Sequence, residues 1–327
     1  MGTYTKICFI VPYFGKLPKY FPFWLKSCQI NESIDWLFIT DQNIVNPPKN
    51  VRIIKRLFCD LKKDIQSKFN FDISLETPYK LCDFKPAYGY IFSEYIKDYT
   101  FWGHCDIDLI WGKIRDFVTE DLLYKYDRLF IHGHCVLYRH TPEIDIWFKT
   151  LPPIKENYTY IKIFSSKENW AFDEFGGKSS WGGINKMVEL NNKKQYKNEC
   201  FDDIYITQKN FLSGKVKNDF KDLFPIETIK KASIFFKFSS TGLLRYTYIN
   251  KKLYEHKSMY VHLQKRNMTI NTPESSSFII VPNEFLSINT PFNIAIKKSK
   301  YTHFYIKPYI IRFHNLKKKI WKILSNL

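Results

Sequence analysis

The sequence predicts an α/β fold built on a mostly parallel sheet, and three observations carry that prediction. Apolar runs rich in β-branched and aromatic residues recur through the first third of the chain, each closed by a turn residue. Helix-like segments separate them, so successive strands are joined by crossovers, the connection that parallel pairing requires. Acidic residues stand where the runs end, at the strand ends where open α/β sheets collect their ligands.

The elements follow in order. "KICFIVPYFG" (6–15) reads as a buried strand ending at a Pro/Gly turn, with a helix after it around Tyr20–Cys28. "DWLFITD" (35–41) is a second buried strand ending on Asp41, and "NVRIIKR" (50–56) a third. Over 77–98, Leu81, Phe84, Tyr88, Ile91, Phe92, Tyr95 and Ile96 recur near a 3.6-residue period and predict a helix that Pro86 bends or delays. "YTFWGHCDID" (99–108) is a strand running into an acidic pair.

Beyond Asp108 the alternation weakens. "DRLFIHG" (127–133) and "CVLYRH" (135–140) read as paired strands, and "YTYIKIFSS" (158–166) as another. "WGGINKMVELNN" (181–192) is a short helix, and "LLRYTYINKKLYEH" (243–256) a hairpin turning at Asn250–Lys251 before "SMYVHLQKR" (258–266). With no internal repeat or low-complexity linker, the expected division is one domain over 1–270 and an extension over 271–327.

Composition narrows the function classes. At 327 residues and 18% aromatic, the chain can bury a large core. Seven scattered cysteines, with no CxxC, read as reduced thiols. The apolar start is too short for a signal peptide and is interrupted by Pro12 and Gly15, and no run of 18 apolar residues occurs. Of the net charge of +18, nine positive charges fall after residue 284, where no Asp or Glu follows. A tail so biased points to an anionic partner, either a membrane surface or a polyanion. Without a recognition motif, and with the charge gathered in a tail, no nucleic-acid partner is expected.

Asp106 and Asp108 are the residues that need explaining, because an unpaired buried charge is costly. Residues i and i+2 of an extended segment point the same way, so the two carboxylates can converge on one ion. Oxygen ligands of this kind suit Mg²⁺ or Mn²⁺, which keep positions open for phosphate oxygens. In "YVHLQKR", strand alternation sets His262 apart from Met259, Val261 and Leu263, while Lys265 and Arg266 could neutralise a diphosphate. "NWAFDEFGGKSSWGG" (169–183) sets two acids, Asp173 and Glu174, before a Gly-rich segment, with Trp170 and Trp181 beside them.

The whole arrangement resembles the GT-A nucleotide-sugar glycosyltransferases, whose DxD carries the metal that binds the donor diphosphate. Within them, "PYFGKLPKYFPFWLKSC", "YKLCDFKPAYGYIF", "FWGHCDIDLIWG" and "YVHLQKR" resemble a bacterial polysaccharide-biosynthesis family often left as a domain of unknown function, over about residues 6–268. The resemblance implies a GT-A, Rossmann-like fold, a metal site of Asp106, Asp108 and His262, and Mn²⁺ or Mg²⁺ as cofactor. It implies that Asp83 bonds the ribose or donor sugar, that Lys80 or Lys85 meets the phosphates, and that Pro12, Tyr13, Phe14, Gly15 and Asp41 line the base and ribose pocket. The donor it implies is a UDP-sugar and the acceptor a lipid-linked saccharide of a capsule or O-antigen, with Asp173 as the candidate general base or acceptor-orienting residue, Glu174 as its close second, and Trp170 and Trp181 as platforms for a sugar.

Two competing readings stay open. His104, Cys105, His132, His134 and Cys135 offer the soft ligands of a zinc hydrolase, though "HGHC" lacks the usual spacings. A sugar-binding relative without catalysis is the other. In the tail, Phe313, Leu316, Ile320, Ile323, Leu324 and Leu327 fall at helical spacing after Pro308, with Lys317, Lys318, Lys319 and Lys322 mainly on the other sides. Such a helix suits an anionic bilayer and predicts a peripheral protein on the inner face of the cytoplasmic membrane.

Overall fold

The computed structural model describes residues 4–177, 181–273 and 276–300, together with 310 and 313. Apart from Ile310 and Phe313, the basic helix expected over 303–327 lies outside the described residues, as do 178–180 of the Gly-rich segment. The chain forms two units: Met1–Leu17, Asn31–Ile107 and Val118–Asn198 make the first, and Pro18–Ile30, Asp108–Phe117 and Glu199–Leu327 the second. The boundary expected near residue 270 falls inside the second unit, where residues 269–271 pair with 284–286.

The first unit opens with β1 (Ile7–Pro12), β2 (Ile34–Thr40), β3 (Val51–Lys55) and β4 (Phe101–Cys105), all at the predicted places. The chain then enters the second unit for β5 (Leu109–Trp111) and returns for β6 (Arg128–His132), β7 (Cys135–Arg139) and β8 (Gln195–Tyr196). These give a seven-stranded sheet ordered β3-β2-β1-β4-β7-β6-β8. β1, β2, β3 and β4 pair in parallel, whereas β7 runs antiparallel to both β4 and β6. Ile10 and Leu37 of the strands, Leu61 and Ile65 of the helix Phe58–Gln66, and Ile184 and Val188 of the helix Gly183–Leu190 share one buried cluster. Each such side chain contributes on the order of 2 kcal/mol by leaving water.

Two segments depart from their predicted form. Residues 77–98 are a succession of short turns, α-helical over Leu81–Phe84 and Tyr88–Ile91 and 3₁₀ over Pro78–Lys80, Lys85–Ala87 and Ser93–Tyr95. Pro86 lacks the N–H that a continuous helix needs. At Gly89 a Cβ would come within 2.3 Å of the Trp102 indole nitrogen, so the close approach there requires glycine. Residues 158–166, read as a strand, contain the helix Tyr160–Ser165. The Thr159 hydroxyl caps it by accepting from Lys162 N–H at 3.3 Å, and Ile163 and Phe164 are buried in the cluster.

The second unit holds β9 (Asp202–Asp203), β10 (Ser233–Ser239), β11 (Gly242–Ile249), β12 (Lys252–Ser258), β13 (Tyr260–His262), β14 (Thr269–Asn271), β15 (Phe278–Val281) and β16 (Glu284–Ser287). Six form a sheet ordered β12-β11-β10-β15-β16-β14, and β5, β13 and β9 form a second, three-stranded one. Asn250 and Lys251 sit at φ 48° and 62°, the left-handed pair of a two-residue hairpin turn, so β11 and β12 join where predicted. Phe23 of the helix Phe21–Gln29 packs at 4.8 Å on Phe278 and at 4.6 Å on Phe285 in this unit's core.

Candidate functional site

In the first unit the carboxyl ends of β1 and β2 bring two predicted stretches to one edge. Tyr13 N–H extends the β1–β2 pairing by donating to Ile39 O at 2.8 Å, and the Tyr13 hydroxyl donates to Lys16 O at 2.9 Å. Pro12 ends β1, and Gly15 turns the chain at φ 124° with open space beside it. Phe14 is instead a buried residue packed on Phe58 at 5.3 Å, which removes it from the set of possible base-stacking faces. Asp41 follows β2 half-buried, accepting from the Gln42 amide at 2.7 Å.

Lys85 is the centre of a buried network. Its ammonium donates to Gly133 O at 2.7 Å and to Asp106 Oδ1 at 2.9 Å, and lies 3.2 Å from Asp173 Oδ2. Burial opposes its charge, but Asp106 and Asp173 more than compensate, and Lys85 is held protonated well above the ordinary lysine range. The phosphate-binding role expected of Lys85 is therefore replaced by one inside the protein. Burial also pushes the Asp173 carboxyl up, against the pull of Lys85 and with help from Glu174, Asp106 and Asp83, to about 7. Glu174 accepts from Gly133 N–H at 3.0 Å. A Cβ at Gly133 would come within 2.5 Å of both Asp173 Oδ2 and Glu174 Cγ, so a side chain at this turn between β6 and β7 would displace the two acids.

Lys80 and Asp83 do not face a ligand. They form an ion pair at 2.8 Å with side chains 4% and 0% exposed. Asp83 accepts from Trp170 N–H at 3.0 Å and Phe172 N–H at 3.0 Å, while Lys80 donates to Ile163 O and Glu168 O. The pair expected to clasp the donor thus clamps the segment that carries Asp173 and Glu174. Trp181 is not a sugar platform either, being buried and stacked on Tyr158 at 4.8 Å and Phe172 at 5.8 Å. Trp170 is half-buried against Tyr158 at 5.8 Å.

The acidic pair straddles a change of unit: β4 ends at Cys105, residues 107–108 form a bend, and Asp108 opens the second unit's segment. The alternation of a continuous strand therefore does not set the directions of Asp106 and Asp108. In the second unit β13 pairs with β5 and β9, setting His262 beside Leu109 and Asp203. His262 Nδ1 lies 2.8 Å from Asp203 Oδ1, and Nε2 faces Asp108 Oδ1 at 3.4 Å. Asp108 Oδ2 accepts from Lys265 N–H at 2.7 Å. Burial would raise the Asp108 carboxyl, but His262 and the Lys265 N–H bring it down to about 2. Burial would lower His262, and Asp108 and then Asp203 raise it to about 10.

β9 is itself anchored. Asp202 accepts from Ser213 at 2.7 Å, Ser258 at 2.9 Å and Arg245 at 2.8 Å, all in the interior. Gln264 and Lys265, each at φ 54°, turn the chain so that the Lys265 N–H reaches Asp108 and leave the Lys265 side chain exposed. Arg266 is 1% exposed and donates to Gln208 O at 2.6 Å and Lys209 O at 3.0 Å, which removes it from the diphosphate role expected of it. Asp203 and Gly133 are the site residues that the sequence reading missed. Asp203 is 59 positions from His262, and the β9–β13 pairing brings them together.

The soft-ligand alternative divides between its residues: His132 and His134, their rings 5.3 Å apart, belong to a group that could hold a metal ion, whereas among the described residues His104 and the two cysteines do not. His104 is buried and held neutral, pushed well below the usual histidine range by burial, then by Lys85 and Arg128. Burial pushes the Cys105 thiol well up, so it is no thiolate. Among the described residues no cysteine joins a group that could hold a metal ion.

Residues 9–289 match a family described as a family of unknown function, DUF6625. No curated protein matches the chain. Among solved structures, the chain is similar to the galactosyltransferase LgtC in complex with donor and acceptor sugar analogs, at 10% identity over 61% of this chain and 75% of that one, with a TM-score of 0.32. It is also similar to mouse xyloside xylosyltransferase 1 in its apo form, at 9% identity over 79% of this chain and 97% of that one, with a TM-score of 0.35. At such identities and TM-scores these are likenesses and nothing more. The family match covers most of the chain and meets the expectation of a family left without an assigned function: the chain belongs to DUF6625.

Proposed function

We propose that this chain is a metal-dependent glycosyltransferase of GT-A type, moving a hexose from a UDP-sugar to a polyprenyl-linked saccharide in capsule or O-antigen synthesis. The observation that carries the reading is the setting of His262. A carboxylate, Asp203, fixes Nδ1, while Nε2 and the ionised Asp108 face each other, the arrangement of a metal-ligating histidine with its supporting acid. Their 3.4 Å separation is close to the roughly 3 Å between adjacent ligands on an octahedral ion with bonds of about 2.1 Å. Asp106, separated from Asp108 by Ile107 alone, would complete a set suited to Mn²⁺ or Mg²⁺.

When bound, the ion would neutralise the nucleoside diphosphate as it leaves. Asp173 would accept the proton of the acceptor hydroxyl, and a carboxyl pushed up to about 7 is placed for that near neutral pH. Glu174, fixed on Gly133 N–H, would orient the acceptor. Pro12, Tyr13, Gly15 and Asp41 would take the base and ribose, and the exposed Lys265 side chain the diphosphate. The basic tail would hold the enzyme on an anionic membrane face, where a lipid-linked acceptor resides.

The test is a panel of UDP-sugars with Mn²⁺, followed for slow hydrolysis, with the product anomer identified by NMR. Turnover of one donor, lost in Asp108→Ala, is expected. A folded protein that turns over none of them with either Mn²⁺ or Mg²⁺ would refute the reading. For the tail, truncation after Tyr305 should release the protein from anionic liposomes; equal binding by both forms at low salt would reject it.

A further inference from the structure

The first unit has a second feature that the proposed transfer reaction does not use. A cavity of about 410 Å³ lies at the amino ends of the parallel strands, away from the carboxyl ends where the candidate site collects. Lys6 immediately precedes β1, Asp35 and Arg52 are the second residues of β2 and β3, and Tyr99 stands two residues before β4. Its volume is within the roughly 300–1,000 Å³ of small-ligand sites.

The lining is chemically unusual for such a site. Tyr95 and Tyr4 present aromatic surface, 41% and 62% exposed. Glu32 and Asp98 add carboxylates to that of Asp35, so three acids face the two bases Lys6 and Arg52. This near balance gives no field to hold a phosphate or a nucleoside diphosphate, and the few apolar groups do not fit a hydrophobic ligand. Donors and acceptors interleaved with flat rings suit hydroxyls, each of which donates and accepts at once, and the weakly polar C–H faces between them.

The lining is also held in place. The Tyr99 hydroxyl donates to Asp35 Oδ2 at 2.9 Å, and the Arg52 guanidinium lies 5.4 Å from the Tyr95 ring centre. Lys6 O accepts from both Thr100 N–H and Phe101 N–H at 3.0 Å, which ties the start of β1 to the start of β4. Ordered polar groups lose little freedom when a ligand arrives.

We infer that this cavity is a second carbohydrate site, which holds an uncharged saccharide chain apart from the candidate transfer site. It shares no lining residue with that site, and its test requires no transfer activity.

The experiment titrates the full chain with maltotriose, cellotriose and the N-acetylglucosamine trimer, read by saturation-transfer NMR and calorimetry. It is run with and without saturating UDP and Mn²⁺. At least one trisaccharide should bind with UDP and Mn²⁺ present. Tyr95→Ala and Asp35→Asn should each weaken that binding about tenfold or more, the loss of one charged hydrogen bond or one ring face. Both positions reach the surface, and Asn at 35 retains an acceptor for Tyr99; if either variant misfolds, Asp98→Asn on the exposed rim serves instead. The inference is overturned if no trisaccharide binds, if UDP and Mn²⁺ displace the one that does, or if the folded variants bind like the parent.

Discussion

Asp173 in the first unit and Asp108 in the second are buried alike, 5% and 4% exposed, yet they carry charge in opposite ways. Asp108 receives a main-chain N–H from Lys265 and faces the His262 ring, and its carboxyl falls to about 2. Asp173 has the Lys85 ammonium, which it shares with Asp106 and a carbonyl, and it stands among other carboxylates, so its carboxyl rises to about 7. Depth of burial does not decide the protonation state; the donors aimed at each carboxylate do. One arrangement keeps a fixed anion suited to a cation. The other keeps a group that can take and return a proton.

Removal of the shared cation should have the largest effect. Lys85→Met strands Asp106 and Asp173 without a counter-charge, and should cost about 3–5 kcal/mol of stability in denaturant unfolding. A cost under about 1 kcal/mol would mean that Lys85 does not hold the network. In the second unit, Asp108→Asn should weaken Mn²⁺ binding by more than about 100-fold, since a ligand matters more than its supporting shell. Asp203→Asn keeps the size but weakens the support of the ring, and calorimetry should find Mn²⁺ affinity down about 10-fold.

The smallest effect is a pH dependence whose sign separates the two aspartates. The folded Asp173 carboxyl is raised to about 7 from 3.8, so its favourable contribution is complete below 3.8 and is lost as pH rises through 7. Asp108 is lowered to about 2, so its contribution is present above 3.8 and is lost only as pH falls towards 2. The melting temperature of Asp173→Asn should therefore gain on the parent between pH 5 and pH 8, by at least about 2 °C. A gain of the same sign for Asp108→Asn between pH 5 and pH 6, below the range in which its partner His262 titrates, would erase the distinction.

How much of this was legible in the sequence depends on how far apart the cooperating residues lie. The strands β1 to β4 were readable because each is a short apolar run with its own turn signal, and the Asn250–Lys251 hairpin because two residues carry the whole turn. The helix at Tyr160–Ser165 was not, since its aromatic and β-branched residues favour a strand until Thr159 caps them and the core receives Ile163 and Phe164. Lys80, Asp83 and Lys85 were noticed as charged residues. Their partners Ile163, Trp170 and Asp173 are about 80 to 90 positions away, and no local pattern says that these charges turn inward. Asp203 was hidden for the same reason.

That His262 and Asp108 hold a divalent ion is tested by calorimetric titration of the full chain with Mn²⁺ near pH 7.5. His262 keeps its proton up to about 10, so an ion binding to Nε2 must displace it, and affinity must rise with pH. Repeating the titration in buffers of different ionisation enthalpy counts the protons released. The account predicts one ion bound per chain with about one proton released, and loss of both signals in His262→Ala. Absence of binding, or binding that releases no proton and survives in His262→Ala, would contradict it.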